Sequence, residues 1–394
     1  MNPRGLHSRR IDVAMKLLGA LAVVLLAGVV AQLARGGHEF PIYPSYYPHE
    51  IRIQTLAPDW AAALLVENKI QAYVGGEPQF AAAPPDSLRP IESLGAFVIV
   101  RVNPASPLTK TDASACDAIG SVIRDMASRK GAWTLHPYPV TPFHGDYLDH
   151  ADLAEAAKTS VLDSAGAATP VRGLKVRASS ALTKNLVRPQ WLASRSDWDI
   201  EIEEASAADL VASASWDVNG WPGPADVRSG WFQAALLLAP SLAGATRDRV
   251  QTDLVRLRSR AYGNAVERIN LERELVAALA AGCRARVAGY TVKREYISAE
   301  YSAGIENIGF DAIAGLDSPI FIRTVKLKDF PWNGWLSLGV DARPTAAWNP
   351  VAGFNDGFGR LMWSAMSDPA LLPAPYDAGW MLNRISDVQQ TPAR

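Results

Sequence analysis

Apolar and polar residues alternate along the chain in short runs that predict both strands and helices. Residues 51–55 alternate isoleucine with arginine and glutamine, which is the pattern of a half-buried strand. Pro58 suits the first turn of a helix, residues 61–66 continue that helix, and 70–74 are a second apolar run that ends at a glycine pair. A strand, a helix and a strand in this order predict a β-α-β unit, and such units build parallel sheets.

Later runs extend the same pattern. Strands are expected at 96–102, 171–178, 286–297, 320–328 and 335–340, and helices at 112–128, 152–158 and 357–367. The strongest helical periodicity covers 246–281, where Gly263 and Asn264 mark the point at which one long helix would divide into two. The Arg and Glu residues of this helix are expected to form a solvated face with pairs at i and i+4.

The N-terminal part of the chain carries an apolar run with a basic flank. Residues 17–34 contain Leu, Val, Ala and Gly with a single Gln, and four basic residues precede them: Arg4, Arg9, Arg10 and Lys16. Positive charge resists translocation, so the N-terminus is expected to stay in the cytoplasm while the rest crosses. The run suits a transmembrane helix, and the poor cleavage sequence favours an uncleaved anchor over the alternative, a cleaved signal peptide. The sequence therefore predicts a single-pass inner-membrane protein whose bulk is periplasmic.

These segments predict a domain order of four parts. Residues 1–35 are the signal anchor, and 36–50 are a spacer rich in proline and tyrosine whose prolines favour extended backbone. Small residues at 163–169 mark a boundary between two α/β lobes, at 51–165 and 166–394.

Charge and cysteine content narrow the classes of partner. The chain has 39 Lys and Arg against 40 Asp and Glu, so it lacks the excess of positive charge that binding to nucleic acid requires. Its two cysteines, Cys116 and Cys283, are either a disulfide or two separate buried thiols, because only their distance in space decides between these states.

One loop concentrates the residue types that bind transition metals. His136, His144 and His150 lie within fifteen residues of one another, with Asp146 among them. Neutral imidazole and carboxylate groups are ligands of divalent transition metals, which makes such a metal the candidate cofactor. The spacing matches no established metal motif, so the alternative is that these histidines form local hydrogen bonds or face solvent.

Aromatic residues next to turns are the second candidate feature. Tyr138 and Tyr147 lie in the histidine loop, and Trp332, Trp335 and Trp348 lie close to Gly, Pro or Asn. Exposed aromatic rings can stack on a small ligand, whereas buried ones fix a loop onto its own domain. We therefore predict these five residues as candidates for ligand binding, with packing as the alternative.

A signal or anchor, a β-α-β start, two α/β lobes and aromatic loops together resemble the architecture of periplasmic solute-binding proteins. The favoured hypothesis is a membrane-tethered periplasmic binding or accessory protein that serves a transporter or a respiratory or metallo-enzyme complex. A small ligand would then bind near the loop 136–150, at the cleft between the lobes. The alternatives are an extracytoplasmic metal-dependent enzyme that uses His136, His144 and His150, and a structural subunit of a membrane complex. No catalytic motif decides whether the chain is an enzyme.

Overall fold

The structure, a computed structural model, describes residues 47–163, 173–193, 196–218, 221–223, 225–302, 304–328, 334–343, 357–367, 370–375, 379–383 and 386. The predicted anchor at 17–34 and most of the spacer lie outside these residues. Within the described ranges, no helix is both long enough and apolar enough to cross a membrane.

The described strands follow in chain order, and seven of the fourteen overlap a predicted strand. They are β1 (Glu50–Thr55), β2 (Ala72–Val74), β3 (Leu88–Val102), β4 (Thr134–Leu135), β5 (Val176–Ala178), β6 (Ile200–Ser206), β7 (Trp216–Val218), β8 (Trp221–Gly223), β9 (Ala285–Ser298), β10 (Ile305–Asn307), β11 (Lys326–Leu327), β12 (Trp335–Val340), β13 (Leu371–Pro373) and β14 (Trp380–Leu382).

The α-helices cover the faces and ends of the sheet that these strands form. They are α1 (Pro58–Val66), α2 (Asp112–Ala127), α3 (Ala151–Asp163), α4 (Ala181–Asn185), α5 (Ala207–Ala214), α6 (Gly230–Leu238), α7 (Gly244–Arg258), α8 (Ala265–Ala280), α9 (Pro319–Thr324) and α10 (Gly357–Met366). Short 3₁₀ turns adjoin several of them, including Tyr147–His150 before α3 and Ala225–Arg228 before α6.

Among the described residues, most of the long strands belong to one mixed sheet in the order β1-β12-β2-β9-β3-β6-β5, with β4 added on β9. Strands β1, β12 and β2 are parallel, whereas β9 is antiparallel to both β2 and β3. The predicted β-α-β unit is confirmed, because β1 and β2 run parallel and α1 connects them, with β12 inserted between the two. The chain therefore has a mixed α/β fold.

The long ladder between β3 and β9 forms the centre of the sheet. It runs from the pair Leu88 and Ser298 to the pair Arg101 and Ala285. Alternate residues of β3 enter different clusters: Phe97 packs in the core beneath α6 and α8, and Val98 packs in the core beneath α2. Both faces of β3 are thus covered in this region, which explains why its sequence is a continuous apolar run instead of an alternating one.

A buried carboxylate lies where the parallel and antiparallel parts of the sheet meet. Glu295 of β9 is fully buried and accepts hydrogen bonds from the backbone N–H groups of Gly75 (2.6 Å) and Leu316 (2.7 Å). Lys293 Nζ lies 3.3 Å from the same carboxylate. Burial raises the pKa of Glu295, and Lys293 and the two N–H groups oppose that rise. Gly315 has a φ of +69°, and a Cβ atom there would collide with Glu295 Oε2, so this position requires glycine.

The predicted strand at 320–328 is wrong over most of its length. Residues Pro319–Thr324 form α9, and only Lys326–Leu327 form a strand. Ser318 caps the helix by accepting a hydrogen bond from Ile320 N, and Pro319 occupies its first turn, where a missing N–H costs little. A short apolar run is buried in either conformation, so its periodicity did not distinguish the two.

The predicted long helix at 246–281 is two helices, α7 and α8. Arg260 adopts a positive φ of 55° between them, which ends the first helix. Asn264 caps the second by accepting a hydrogen bond from Glu267 N at 2.9 Å. The sequence predicted that one long helix would divide at Gly263 and Asn264, and the break between the two helices includes this position.

The predicted boundary between the lobes does not divide the sheet. Strands β9 and β12, which follow residue 166, alternate in the sheet with β1, β2 and β3, which precede it. The division into 51–165 and 166–394 therefore stays a prediction about folding units, and the sheet is continuous across it.

Cys116 and Cys283 form a disulfide, with their Cα atoms 4.5 Å apart. The bond joins α2 to the segment that leads into β9, across a sequence separation of 167 residues. This resolves the question that the sequence left open. Two segments far apart in the chain are thus linked covalently beside the central ladder.

We expect the paired replacement Cys116→Ser and Cys283→Ser to lower the free energy of unfolding by about 2–5 kcal/mol, because the bond restricts a long loop of the unfolded chain. Denaturant titration of both proteins measures the difference. Thiol titration of the unfolded, unreduced wild-type protein is the direct check, and two free thiols per chain would contradict the disulfide.

Candidate functional site

The histidine loop, residues 134–150, is held against the central ladder and ends at α3. Its first residues form β4, in which Thr134 pairs with Tyr290 of β9. His136, His144 and His150 are all buried. The three predicted histidines therefore belong to the core of the protein, where each needs a hydrogen-bond partner.

His144 has a partner for each ring nitrogen. Its Nδ1 accepts a hydrogen bond from Thr141 N at 2.9 Å, and its Nε2 donates to Gln233 Oε1 of α6 at 3.1 Å. The imidazole also stacks on Phe97, with the ring centroids 6.1 Å apart. Burial lowers the pKa of His144, although the nearby Asp146 carboxylate opposes that effect. The ring is thus a neutral structural element that joins the loop to α6.

His136 closes the first turn of the loop. Its Nε2 donates a hydrogen bond to Val140 O at 2.8 Å, and its ring contacts those of Tyr147 (6.0 Å) and Tyr290 (5.6 Å). Burial lowers the pKa of His136. His136 thus packs among aromatic rings. Because its Nε2 carries a proton, that atom has no free lone pair with which to bind a metal.

His150 lies at the end of the loop, with its Nδ1 2.9 Å from the hydroxyl group of Tyr138. Its Nε2 is buried and has no hydrogen-bond partner among the described residues. Burial lowers the pKa of His150 and raises the pKa of Tyr138 well above its ordinary range. The pair is therefore neutral at physiological pH.

Asp146 acts as a helix cap. Its two carboxylate oxygens accept hydrogen bonds from Gly230 N (2.9 Å) and Trp231 N (3.1 Å), which are the first N–H groups of α6. A carboxylate in this position satisfies free helix donors and interacts favourably with the helix dipole. The same atoms would be needed to bind a metal.

Across the part of the chain that the structure describes, no three His, Cys, Asp or Glu side chains are arranged to hold a metal ion. His136, His144, His150 and Asp146 lie in one region, and most of their ligating atoms are hydrogen-bonded to protein groups. His150 Nε2 has no such partner among the described residues. This geometry gives the metal site no support, and the metal site stays a prediction.

The candidate aromatic residues separate into three groups. Tyr138 is buried and Tyr147 is half-buried, and both pack within the histidine loop. Trp335, the first residue of β12, has 56% of its surface exposed. Trp332 and Trp348 lie outside the described residues. The two tyrosines thus pack within the loop and Trp335 lies on the surface, and ligand binding by these residues stays a prediction.

The expected solvated face of α7 and α8 contains an exception. Glu272 is buried, accepts a hydrogen bond from Arg268 Nη1 at 2.9 Å, and has a pKa that burial raises to about 7. Its neighbour Arg273 instead pairs with exposed Asp152 through two contacts of 2.7 Å. The pattern of i and i+4 charges predicted the pair of Arg268 and Glu272 but not its burial.

The described residues enclose a half-open cavity of about 660 Å³ at the end of the central ladder opposite α2. It is lined by Arg89, Pro90, Ile91, Glu92, Ile297, Glu306, Asn307, Ile308 and Phe310. Its volume lies within the range of about 300–1,000 Å³ that is typical of pockets for small molecules. The cavity is formed by β3, β9, β10 and the segment that follows β10.

The cavity combines an apolar floor with a charged rim. Ile91 and Ile297 are buried side chains of β3 and β9, and they lie in the hydrophobic cluster beneath α9 and α10. Arg89 Nη2 donates to Ile305 O at 3.4 Å, which turns its guanidinium group towards β10. Glu92 accepts a hydrogen bond from Arg294 Nε at 2.9 Å. Such a site offers apolar contact and charges of both signs to a small solute.

No sequence pattern distinguishes these residues, because they belong to ordinary half-buried strands and to two segments of the chain about 200 positions apart. The expected site, at the loop 136–150 and between two lobes, is therefore not where this cavity lies. Only the register of β3 against β9, in which Arg89 pairs with Ile297, brings the lining together.

The buried histidines predict a loss of stability in acid. Burial lowers the pKa values of these histidines in the folded state. Below pH ~6.5 the unfolded chain therefore binds more protons than the folded chain, and the free energy of unfolding decreases as the pH is lowered. The raised pKa of Glu272 acts in the opposite direction, since its protonation favours the folded state. Because the wild type and a histidine variant both contain Glu272, the contribution of Glu272 to the pH dependence cancels when the two proteins are compared.

We expect His144→Asn to flatten this pH dependence, because asparagine can accept the Thr141 N–H bond without titrating. Between pH 7 and pH 5 its free energy of unfolding should fall less steeply than that of the wild type, by up to about 1.4 kcal/mol per pH unit. Urea titrations at several pH values measure the slopes, and equal slopes for both proteins would contradict a neutral, buried His144.

No protein-family model matches the chain, and no curated protein matches it. Among solved structures, an ABC transporter substrate-binding protein from Sinorhizobium meliloti is 11% identical with a TM-score of 0.38, and the match covers 66% of this chain and 58% of that one. HbpA2 from Haemophilus parasuis is 10% identical with a TM-score of 0.39, covering 69% and 56%. OppA from Haemophilus influenzae, in complex with RPPGFSPFR, is 10% identical with a TM-score of 0.35, covering 62% and 52%. The chain thus spans less than two thirds of each structure, and likenesses this weak do not establish what it binds.

Proposed function

We propose that the chain is a membrane-tethered, extracytoplasmic binding protein that takes up a small solute in the cavity between β3, β9 and β10 and serves a membrane transporter or complex. The cavity of about 660 Å³ is the observation that carries this proposal. Concave sites that combine apolar walls with a few polar groups are the usual sites of small-molecule binding.

The lining favours a solute with both apolar and charged parts. Ile91 and Ile297 supply an apolar floor, while Arg89, Glu92 and Glu306 supply charges of both signs to the lining. Because these charged groups lie at the surface, they would select and orient a ligand more than they would add affinity. Most of the affinity would come from the buried apolar area.

The location follows from the N-terminal sequence. The apolar run 17–34 with four basic residues before it favours a membrane anchor with the folded part on the periplasmic side. The disulfide between Cys116 and Cys283 is consistent with an oxidising compartment, since such bonds are rare in the cytosol. A tether of this kind would keep the binding domain close to a partner in the same membrane.

A thermal-shift screen with amino acids, short peptides, sugars and organic acids tests the cavity. We expect at least one compound to raise the melting temperature of the wild-type protein, because a ligand that binds only the folded state stabilises it. Asn307→Trp should abolish that rise by filling the cavity from an exposed position of β10.

Gln54→Trp is the matched control. It places the same side chain at an exposed position of β1, away from the cavity, so its response to the compound should equal that of the wild type. An undiminished shift in Asn307→Trp, with normal folding, would show that the solute binds elsewhere.

A reporter that is active only in the periplasm tests the location. Fused after Arg394, it should be active, because the basic flank of the run 17–34 holds the N-terminus in the cytoplasm. The same fusion without residues 1–35 should lose activity. Activity from a cytoplasmic reporter at Arg394 would overturn the proposed topology.

A further inference from the structure

Near the start of β1, two exposed aromatic side chains each lie beside a cation. Trp335 and Tyr47 have 56% and 39% of their surface exposed. β1 is the edge strand, and its first residue, Glu50, pairs in register with Trp335. Tyr and Trp combine an apolar ring with a polar group and are enriched at interfaces where one side is apolar and the other is wet.

Each aromatic ring of this edge surface carries a basic group. Arg52 Cζ lies 4.3 Å from the centroid of the Trp335 ring, and Lys326 Nζ lies 4.6 Å from that of the Tyr47 ring. Glu50 accepts a hydrogen bond from Arg52 Nε at 2.6 Å, so the surface keeps one net positive charge from these groups. Amphipathic rings with long basic side chains beside them are the residues enriched at bilayer–water interfaces.

The position of this edge in the chain indicates which partner it meets. Residues 35–46 alone separate the apolar run from Tyr47. Even fully extended, at about 3.5 Å per residue, they reach only about 45 Å. The start of β1 is therefore the point at which the spacer joins the folded domain, within about 45 Å of the anchored run.

We infer that Tyr47, Arg52, Lys326 and Trp335 form a docking surface for the headgroup layer of the membrane that holds the anchor. This inference rests on the proposed tether. The indole of Trp335 and the phenol of Tyr47 would enter the interface, and Arg52 and Lys326 would contact phosphate groups beside them. The domain would then lie on the bilayer with β1 beside it instead of moving freely on its spacer.

Trp60 provides an internal comparison. It is exposed to 65% and belongs to α1, which follows the opposite end of β1. A domain that docks through the start of β1 holds Trp60 farther from the bilayer than Trp335. One protein thus contains both a test residue and a control residue of the same type.

Fluorine NMR of the full chain labelled with 5-fluorotryptophan and reconstituted in lipid nanodiscs tests the docking. The variants Trp335→Phe and Trp60→Phe assign the two resonances by their disappearance. When a lipid with a gadolinium chelate on its headgroup is added, the Trp335 resonance should lose its intensity, while the Trp60 resonance should keep most of its own.

The outcomes separate the docking from the tether. If the chain elutes apart from the nanodiscs, the tether fails and the docking fails with it. If the chain stays in the nanodiscs but Trp335 broadens no more than Trp60, the docking is wrong and the tether stands. Arg52→Gln with Lys326→Gln should reduce the broadening of Trp335, and no change would remove the two cations from the contact.

Discussion

The buried carboxylate of Glu295 is the interaction on which the arrangement of the sheet depends. It accepts N–H groups from the end of β2, at Gly75, and from the turn before α9, at Leu316. Loss of this carboxylate would leave two buried donors without partners, each of which costs about 1–3 kcal/mol. The three elements that it joins are far apart in sequence, so the contact fixes how the parallel strands β1, β12 and β2 meet the antiparallel ladder of β9 and β3.

A second buried ion pair extends this junction. Asp311, one turn before Gly315, pairs with Arg228, and its other oxygen accepts Ile313 N and Ala314 N at 2.8 and 2.9 Å. Arg228 also donates to Ala374 O at 2.7 Å, next to the hairpin of β13 and β14. The segment 311–316 is thus held by two buried acids, which position β10 and the chain after it against the sheet. Phe310, which lines one wall of the cavity, is next to this segment in the chain and is positioned by it.

Sequence patterns predicted the elements better than their assembly. The alternation at 51–55, the apolar run at 96–102 and the periodicity at 112–128 correspond to β1, β3 and α2, because local burial sets these patterns. The register that pairs Arg89 with Ile297 has no local signature, so the cavity was not predictable from either segment alone. Pro319 and Ser318 did carry a local signal for α9, which the apolar run at 320–322 obscured.

The histidine loop shows why residue type is a weaker guide than residue environment. The metal site inferred from histidine and aspartate stays a prediction. His136, His144, His150 and Asp146 do converge in one loop. Their convergence serves packing, however: His144 joins Thr141 to Gln233, and Asp146 caps α6. A functional histidine keeps a nitrogen available to a ligand or a proton. Among the fully buried atoms of the described residues, His150 Nε2 has no hydrogen-bond partner, and His150 does not line the cavity.

The cavity and the residues proposed to meet the bilayer are structurally connected through the antiparallel pair of β10 and β11. Asn307 lines the cavity, and its ladder partner Lys326 lies over the ring of Tyr47. On the proposed arrangement, contact of Lys326 with the headgroup layer would therefore hold one wall of the cavity near the membrane surface. β10 and β11 are joined by only two residue pairs, so this strand pair resists displacement less than the long ladder of β3 and β9. A solute that enters the cavity and a bilayer that meets Lys326 would thus act on the same short element, from opposite strands.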